Sequence, residues 1–202
     1  MESRQRLQET MELSLANYVQ RIQLFTDKEC DNIINELEKV NNWREYPYDS
    51  PEDNICVQET PDVSYYDCRL PEDNTIRKFM HEKIAKAVDS HIQDFLSELP
   101  WFSYWTGSGN LNFIKYPMHT GMDTHCDHVR NQFDGSRRGI PILTVLGALN
   151  DDYEAGELLF WNKENIKMSI GEALIFPSNY LFPHKVEIVK RGTRYSFVNW
   201  IW

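Results

Sequence analysis

Between residues 18 and 25 apolar and polar side chains alternate, with Val19, Ile22 and Leu24 set among polar neighbours, which predicts a half-buried strand. The period then changes. Thr26-Asp27-Lys28-Glu29 forms a capping box, and Ile33, Ile34, Leu37 and Val40 follow at helical spacing, so a helix is expected over 27–40. Residues 41–72 are polar and carry Pro47, Pro51, Pro61 and Pro71, a texture of loops with short strands. Asn74 is placed to cap a second helix over 75–97, whose stripe runs Ile76, Met80, Ile84, Val88, Ile92, Phe95. Residues 4–14 suit a short polar helix or a frayed end.

Beyond residue 100 the pattern is that of strands, at 110–116, 142–149, 157–161, 173–176, 184–189 and 193–202, separated by Gly, Pro, Asn and Asp. The polar stretch 128–139 interrupts the series and is expected to be a mobile loop. Helices first and many short strands afterwards predict an α+β chain, a sheet sandwich or barrel backed by the N-terminal helices.

Composition narrows this picture. The 202 residues suit a single domain, expected over 1–202 with its working core at about 100–202. A hydrophobic fraction of 41% and a charged fraction of 26% are ordinary for a globular protein. The formal net charge of −10 weighs against nucleic acid or an anionic membrane as partner. The first fifteen residues are charged and lack the apolar run of a signal peptide. The longest apolar stretch, 140–149, is too short to span a bilayer. Cys30, Cys56, Cys68 and Cys126 are scattered with no C-x-x-C pair, so reduced thiols and a cytoplasmic location are expected.

The candidate chemistry lies at His125-Cys126-Asp127. Residues two apart in an extended segment project to one face, so His125 and Asp127 can reach one ion, and His184 on a later strand could complete the set. Two imidazoles and a carboxylate leave coordination positions open, which non-heme iron(II) oxygen chemistry requires. A His-x-Asp alone is weak evidence, and His119, Asp123 and His128 offer other ligand sets. Ten positions after His184 comes Arg194, on a strand whose alternation puts Ser196, Val198 and Trp200 on the same face. An inward Arg beside a hydroxyl can bind a carboxylate through two charge-assisted hydrogen bonds; a surface Arg at a strand start is the plain alternative.

These residues resemble the prolyl 4-hydroxylase-like branch of the iron(II)/2-oxoglutarate-dependent dioxygenases. Asn112-Phe113-Ile114-Lys115-Tyr116-Pro117 is similar to the strand before the family's His-x-Asp, and Ala155-Gly156-Glu157-Leu158-Leu159-Phe160 to its Gly-Gly-x-Leu-x-Phe strand. Gly171-Glu172-Ala173-Leu174-Ile175-Phe176 and Pro183-His184-Lys185-Val186 resemble the segments that deliver the distal His. The likeness covers residues 18–202, weakly in the helices and strongly from 112 to 200.

The resemblance implies a double-stranded β-helix (jelly-roll) core. It implies Fe(II) held by His125, Asp127 and His184, with Arg194, Tyr116 and Ser196 holding 2-oxoglutarate. O2 would be the second co-substrate, and ascorbate is admitted as an auxiliary reductant. The reaction implied is hydroxylation of a C–H bond, with 2-oxoglutarate converted to succinate and CO2. Two departures stand out. Ala155 replaces the first Gly of the usual pair, and Gly147-Ala148 falls where some relatives carry a co-substrate-binding tyrosine, with Thr144 offered in its stead.

Substrate contacts are expected of Tyr65, Tyr66, Arg130 and Trp200, with Arg69 in the same segment as the tyrosines. Arg137 and Arg138 read as solvated, and His81 and His91 as surface histidines on the second helix. Cys126 is expected to point away from the metal. Trp101, Tyr104 and Trp105 are expected to pack helix against sheet. The resemblance puts a prolyl residue of a protein or peptide first as substrate, with a free amino acid or other small molecule next. A non-catalytic metal-binding β-helix module is the alternative from another class. Nucleic-acid demethylation is disfavoured, because Trp200 stands where those enzymes place a second Arg. The sequence assigns no oligomeric state.

Overall fold

The computed structural model describes residues 18–47, 64–95, 105–127, 133–134, 137–138 and 141–202. Strand β1 (Gln20–Gln23) leads into helix α1 (Asp27–Val40), followed by β2 (Arg44–Pro47), β3 (Ser64–Cys68) and helix α2 (Thr75–Phe95). Then come β4 (Asn112–Tyr116), β5 (Met122–His125), the two-residue strands β6 (Phe133–Asp134) and β7 (Arg137–Arg138), and β8 (Leu143–Ala148). The chain continues through β9 (Glu154–Ala155), β10 (Leu158–Phe160), β11 (Glu164–Ile166) and β12 (Glu172–Pro177). It ends with β13 (His184–Val186), β14 (Val189–Arg191) and β15 (Arg194–Ile201).

Both helices begin where the sequence predicts. Thr26 Oγ1 accepts from the Glu29 amide while the Glu29 carboxylate accepts from the Thr26 amide, so the capping box is closed. Asn74 Oδ1 accepts from the amides of Ile76 and Arg77 at the start of α2. The α2 stripe is buried at Met80, Ile84 and Val88. His91 departs from its predicted surface position. It is 2% exposed, and its Nδ1 meets Gln20 Oε1 at 2.7 Å, because it faces the β1 side of the helix.

Eleven of the strands form two antiparallel sheets that lie face to face, and β14-β9 and β6-β7 form two small ones. The larger runs β1-β12-β8-β15-β4-β3-β2 and the smaller β11-β10-β13-β5. This is the expected double-stranded β-helix, an α+β arrangement backed by the helices. Alternation along the large sheet sends one set of side chains to each face. Phe113, Val145, Ile175, Phe197 and Ile201 meet Phe25, Ile33, Leu37, Met80, Ile84 and Val88 of the helical layer. The opposite face contributes Tyr116, Leu146, Ala148, Leu174 and Phe176, which pack with Leu158, Phe160 and Val186 of the small sheet.

Gly147 lies directly across from Phe197, whose ring atoms occupy the space a Cβ would need. It faces the helices, so no side chain at this position could reach the space between the sheets. The stretch predicted as a loop at 128–139 contains the small β6–β7 hairpin. The predicted strand 184–189 is broken between Val186 and Val189, where pairing passes from β5 and β10 to β9. Residues 4–14, and with them Trp101, Tyr104, His128 and Arg130, lie outside the described residues. Trp105 packs against the helical core as predicted, its Nε1 donating to Asp89 Oδ1 at 2.9 Å.

Candidate metal centre and anion pocket

His125 closes β5 and His184 opens β13, and the two are paired across the small sheet with ring centroids 4.5 Å apart. Asp127 follows His125 by two residues and turns its carboxylate to the same point. His125 Nε2 lies 3.8 Å from Asp127 Oδ1, and His184 Nε2 lies 3.9 Å from Asp127 Oδ2. One ligand atom from each of the three falls within 4.8 Å of the others. Among the described residues this is the only such grouping of His, Cys, Asp and Glu, so His119 and Asp123 join no competing set.

The imidazoles are oriented for coordination. Nδ1 of His125 meets the Asp123 carbonyl at 2.8 Å, and Nδ1 of His184 meets the Phe182 carbonyl at 3.1 Å. A carbonyl oxygen can only accept, so each Nδ1 carries the proton and each Nε2 presents a lone pair to the centre. Backbone carbonyls thereby select the tautomer a metal needs. Burial pushes the His184 pKa down, against the opposing pull of Asp127, which keeps this ring neutral. Two neutral nitrogen donors and one carboxylate suit a divalent first-row metal, and the arrangement leaves further coordination positions to small ligands.

These three residues line one wall of a cavity of about 270 Å³ between the sheets. Arg194 also lines it, 2% exposed, with Nη1 donating to Ser196 Oγ at 3.0 Å and its guanidinium carbon 5.2 Å from the Tyr116 ring centroid. Among the described residues no carboxylate pairs with it, and its Nε is buried without a partner. A buried cation in this setting is matched to an anionic ligand. Gly156, at φ +71°, lies beside the Arg194 stem; a Cβ there would crowd Val189 Cγ2 at 2.8 Å and make an ordinary contact of 3.5 Å with Arg194 Cδ. Tyr116 is 1% exposed, its hydroxyl 3.8 Å from Met122 Sδ.

The cavity also takes in Tyr65, Arg69 and Trp200 from the expected set. Arg69 Nε donates to Asn112 Oδ1 at 2.7 Å, while the Asn112 amide nitrogen and Trp200 Nε1 are buried without a hydrogen-bond partner among the described residues. Two residues stand otherwise than the sequence reading has them. Tyr66 pairs with Lys115 and projects to the face of β3 away from Tyr65, because neighbours on a strand alternate, and it does not line the cavity. Thr144 is fully buried beside Asp127 rather than in the cavity wall, its hydroxyl directed to that carboxylate. Cys126 lines the cavity but stands outside the grouping of His125, Asp127 and His184, and burial raises its thiol pKa. The apolar wall of Ile114, Leu146 and Val186, beside the expected Val198, and the polar residues Asp67 and Asn112 escape the sequence reading. Strand alternation places Ile114 and Asn112 on the Tyr116 face, and was the available signal for them.

Residues 111–202 match the sequence profile of the 2OG-Fe(II) oxygenase superfamily. A PKHD-type hydroxylase of Prochlorococcus marinus is 42% identical over 94 residues, 45% of this chain and 40% of that protein. One from Acaryochloris marina is 35% identical over 124 residues, covering 59% and 56%. The chain thus spans about half the length of these relatives. Among solved structures, a Pseudomonas putida prolyl-4-hydroxylase superposes with a TM-score of 0.65 at 13% identity, covering 93% of this chain and 94% of that one. A Trichoplax adhaerens prolyl hydroxylase, solved with a peptide fragment, gives 0.66 at 19% identity, covering 100% and 91%. At these identities the likeness is one of fold.

Proposed function

We propose that this chain, whose residues 111–202 match the 2OG-Fe(II) oxygenase superfamily, is an iron(II)- and 2-oxoglutarate-dependent hydroxylase of prolyl residues in a protein or peptide. The observation that carries the reading is one cavity holding both a His-Asp-His donor set and a buried arginine that no carboxylate among the described residues pairs with. His125, Asp127 and His184 hold the metal through two Nε2 atoms and one carboxylate. Arg194, with Ser196 and Tyr116 beside it, holds the distal carboxylate of 2-oxoglutarate, which fixes the keto acid end toward the metal. Bound iron supplies the oxidative chemistry: O2 converts 2-oxoglutarate to succinate and CO2, and the second oxygen atom enters a substrate C–H bond as hydroxyl.

The chain itself positions and shields. Apolar side chains from both sheets line the cavity and limit water around the reacting carbon. Tyr65, Arg69 and Trp200 stand at hand for the substrate, and the peptide bound to the Trichoplax adhaerens enzyme supports an extended peptide over a small molecule. Arg130 remains a proposed substrate contact from the sequence alone. No helix among the described residues is long and apolar enough to cross a membrane. We place the enzyme in the cytoplasm, in keeping with the free thiols of Cys30, Cys68 and Cys126. The test is to supply Fe(II), 2-oxoglutarate, ascorbate and proline-bearing peptides, then to follow succinate and peptide mass. A gain of one oxygen atom on a prolyl residue is expected; succinate formed only with free amino acids would move the substrate class, and none under any condition would end the reading.

A further inference from the structure

Beside the donor set lies a buried hydroxyl pair that the coordination scheme above does not use. Thr144 Oγ1 is 2.6 Å from Asp127 Oδ2, and Ser178 Oγ is 2.8 Å from Thr144 Oγ1. Thr144 is fully buried, Ser178 is 1% exposed and Asp127 is 5% exposed. An ionised carboxylate can only accept, so the single proton of Thr144 is committed to Oδ2, and Ser178 must donate to the Thr144 oxygen. The relay therefore has one direction, from Ser178 through Thr144 to Asp127. Its geometry is built into the large sheet. Thr144 sits on β8 opposite Phe176 of β12, and Ser178 immediately follows that strand, with its amide anchored to the Ile142 carbonyl at 3.1 Å.

We propose that Thr144, backed by Ser178, is a positioning residue that holds Asp127 Oδ2 in a hydrogen bond and leaves Oδ1 as the single oxygen presented to the metal. Oδ1 lies 3.8 Å from His125 Nε2 and Oδ2 3.9 Å from His184 Nε2, so the two oxygens are equally near the rings and it is the Thr144 hydroxyl at Oδ2 that distinguishes them. Without the relay the Asp127 side chain would be free to turn about its terminal bond, and either or both oxygens could meet an ion. Hydrogen-bonding partners of metal ligands typically contribute about 10- to 100-fold in affinity. This inference deepens the proposed function and rests on its metal reading. It gives Thr144 a role different from the co-substrate contact expected of it.

The experiment is a Co(II) titration of the metal-free full chain, followed by visible d–d absorption, with the thermal midpoint of each metal-free variant measured alongside. Thr144→Val keeps the shape and removes the donor; it is expected to weaken Co(II) binding about tenfold or more at an unchanged midpoint. Thr144→Ser, which restores the hydroxyl, is expected to bind as the wild type does, and Ser178→Ala to fall between the two. T144V binding Co(II) as tightly as the wild type would overturn the proposal, as would T144S binding as weakly as T144V. Wild-type affinity in S178A would remove Ser178 from the relay. A wild-type chain that takes no Co(II) ends both this inference and the metal reading, whereas wild-type binding matched by T144V ends this one alone.

Discussion

Arg194 and Tyr116 stand directly opposite each other on β15 and β4, with the guanidinium carbon 5.2 Å from the tyrosine ring centroid. The ring face and the Ser196 hydroxyl flank a buried cation for which the described residues supply no carboxylate. Among the described residues the pair thus presents a cation that none of their own acids offsets.

That arrangement predicts opposite effects of one substitution on stability and on binding. Arg194→Met removes an uncompensated buried charge, so the thermal midpoint of the ligand-free chain should hold or rise. The same variant should no longer be stabilised by 2-oxoglutarate, which raises the midpoint of the wild type by mass action. Arg194→Lys keeps the charge without the fork and should raise the KM for 2-oxoglutarate about 10- to 100-fold, the equivalent of roughly 1.4–2.7 kcal/mol. Thermal shift with and without 2-oxoglutarate, and succinate kinetics, check both.

Asp127 is the carboxylate of the donor set, and among the described residues no other carboxylate joins that set. Asp127→Ala should therefore abolish metal-dependent 2-oxoglutarate turnover while leaving the fold intact by circular dichroism. Undiminished succinate release from this variant would refute the assignment of the centre.

Phe197 fills the space above Gly147, and no side chain can be added there without moving the ring. Gly147→Ala should cost about 1–3 kcal/mol in overpacking, read as a midpoint several degrees lower. Its effect on the KM for 2-oxoglutarate should be small, because this position faces the helices. A large KM effect at an unchanged midpoint would contradict that orientation.

Ala155 adopts φ +61°, a left-handed conformation that is costly for a residue with a Cβ. Ala155→Gly should stabilise the turn by about 1 kcal/mol, a gain of a few degrees in the midpoint. An unaltered or lowered midpoint would indicate that the alanine methyl packs well enough to offset the strain.

Burial pushes the thiol of Cys30 up to about 12 and that of Cys68 up to about 11, with neighbouring carboxylates adding to the effect. For an acid whose pKa is raised in the fold, the neutral form is favoured there. The corresponding stability is complete below an ordinary thiol pKa of 9 and is lost as the pH climbs through 9 toward 11–12. At pH 8 both cysteines should resist iodoacetamide in the native chain and react once urea unfolds it. Peptide mass mapping reads this directly, and rapid native labelling of either would show the thiol to be open to solvent.

Much of the helical layer was legible in the sequence. The capping box Thr26/Glu29, the Asn74 cap and the apolar stripe of α2 are local signals, and local hydrogen bonds and 3.6-residue spacing suffice to produce them. The strand series was legible too, since alternation marks which side chains share a face. His125, Asp127, His184 and Arg194 could be singled out by type and spacing, and family resemblance gave them a common purpose. The direction of His91, the side of β3 on which Tyr66 falls, and the break after Val186 were not legible, because each depends on which neighbour the element packs against.

By itself the sequence determined the classes of element, the residue types able to bind a metal and an acid, and the resemblance that orders them along the chain. The tertiary structure decided that β5 and β13 pair at His125 and His184, that carbonyls of Asp123 and Phe182 turn both Nε2 atoms inward, and that Thr144 reaches Asp127. These contacts join residues 17 to 59 positions apart or depend on a tautomer. They follow from strand register and from the closure of two sheets on each other, and no local pattern in the chain encodes either.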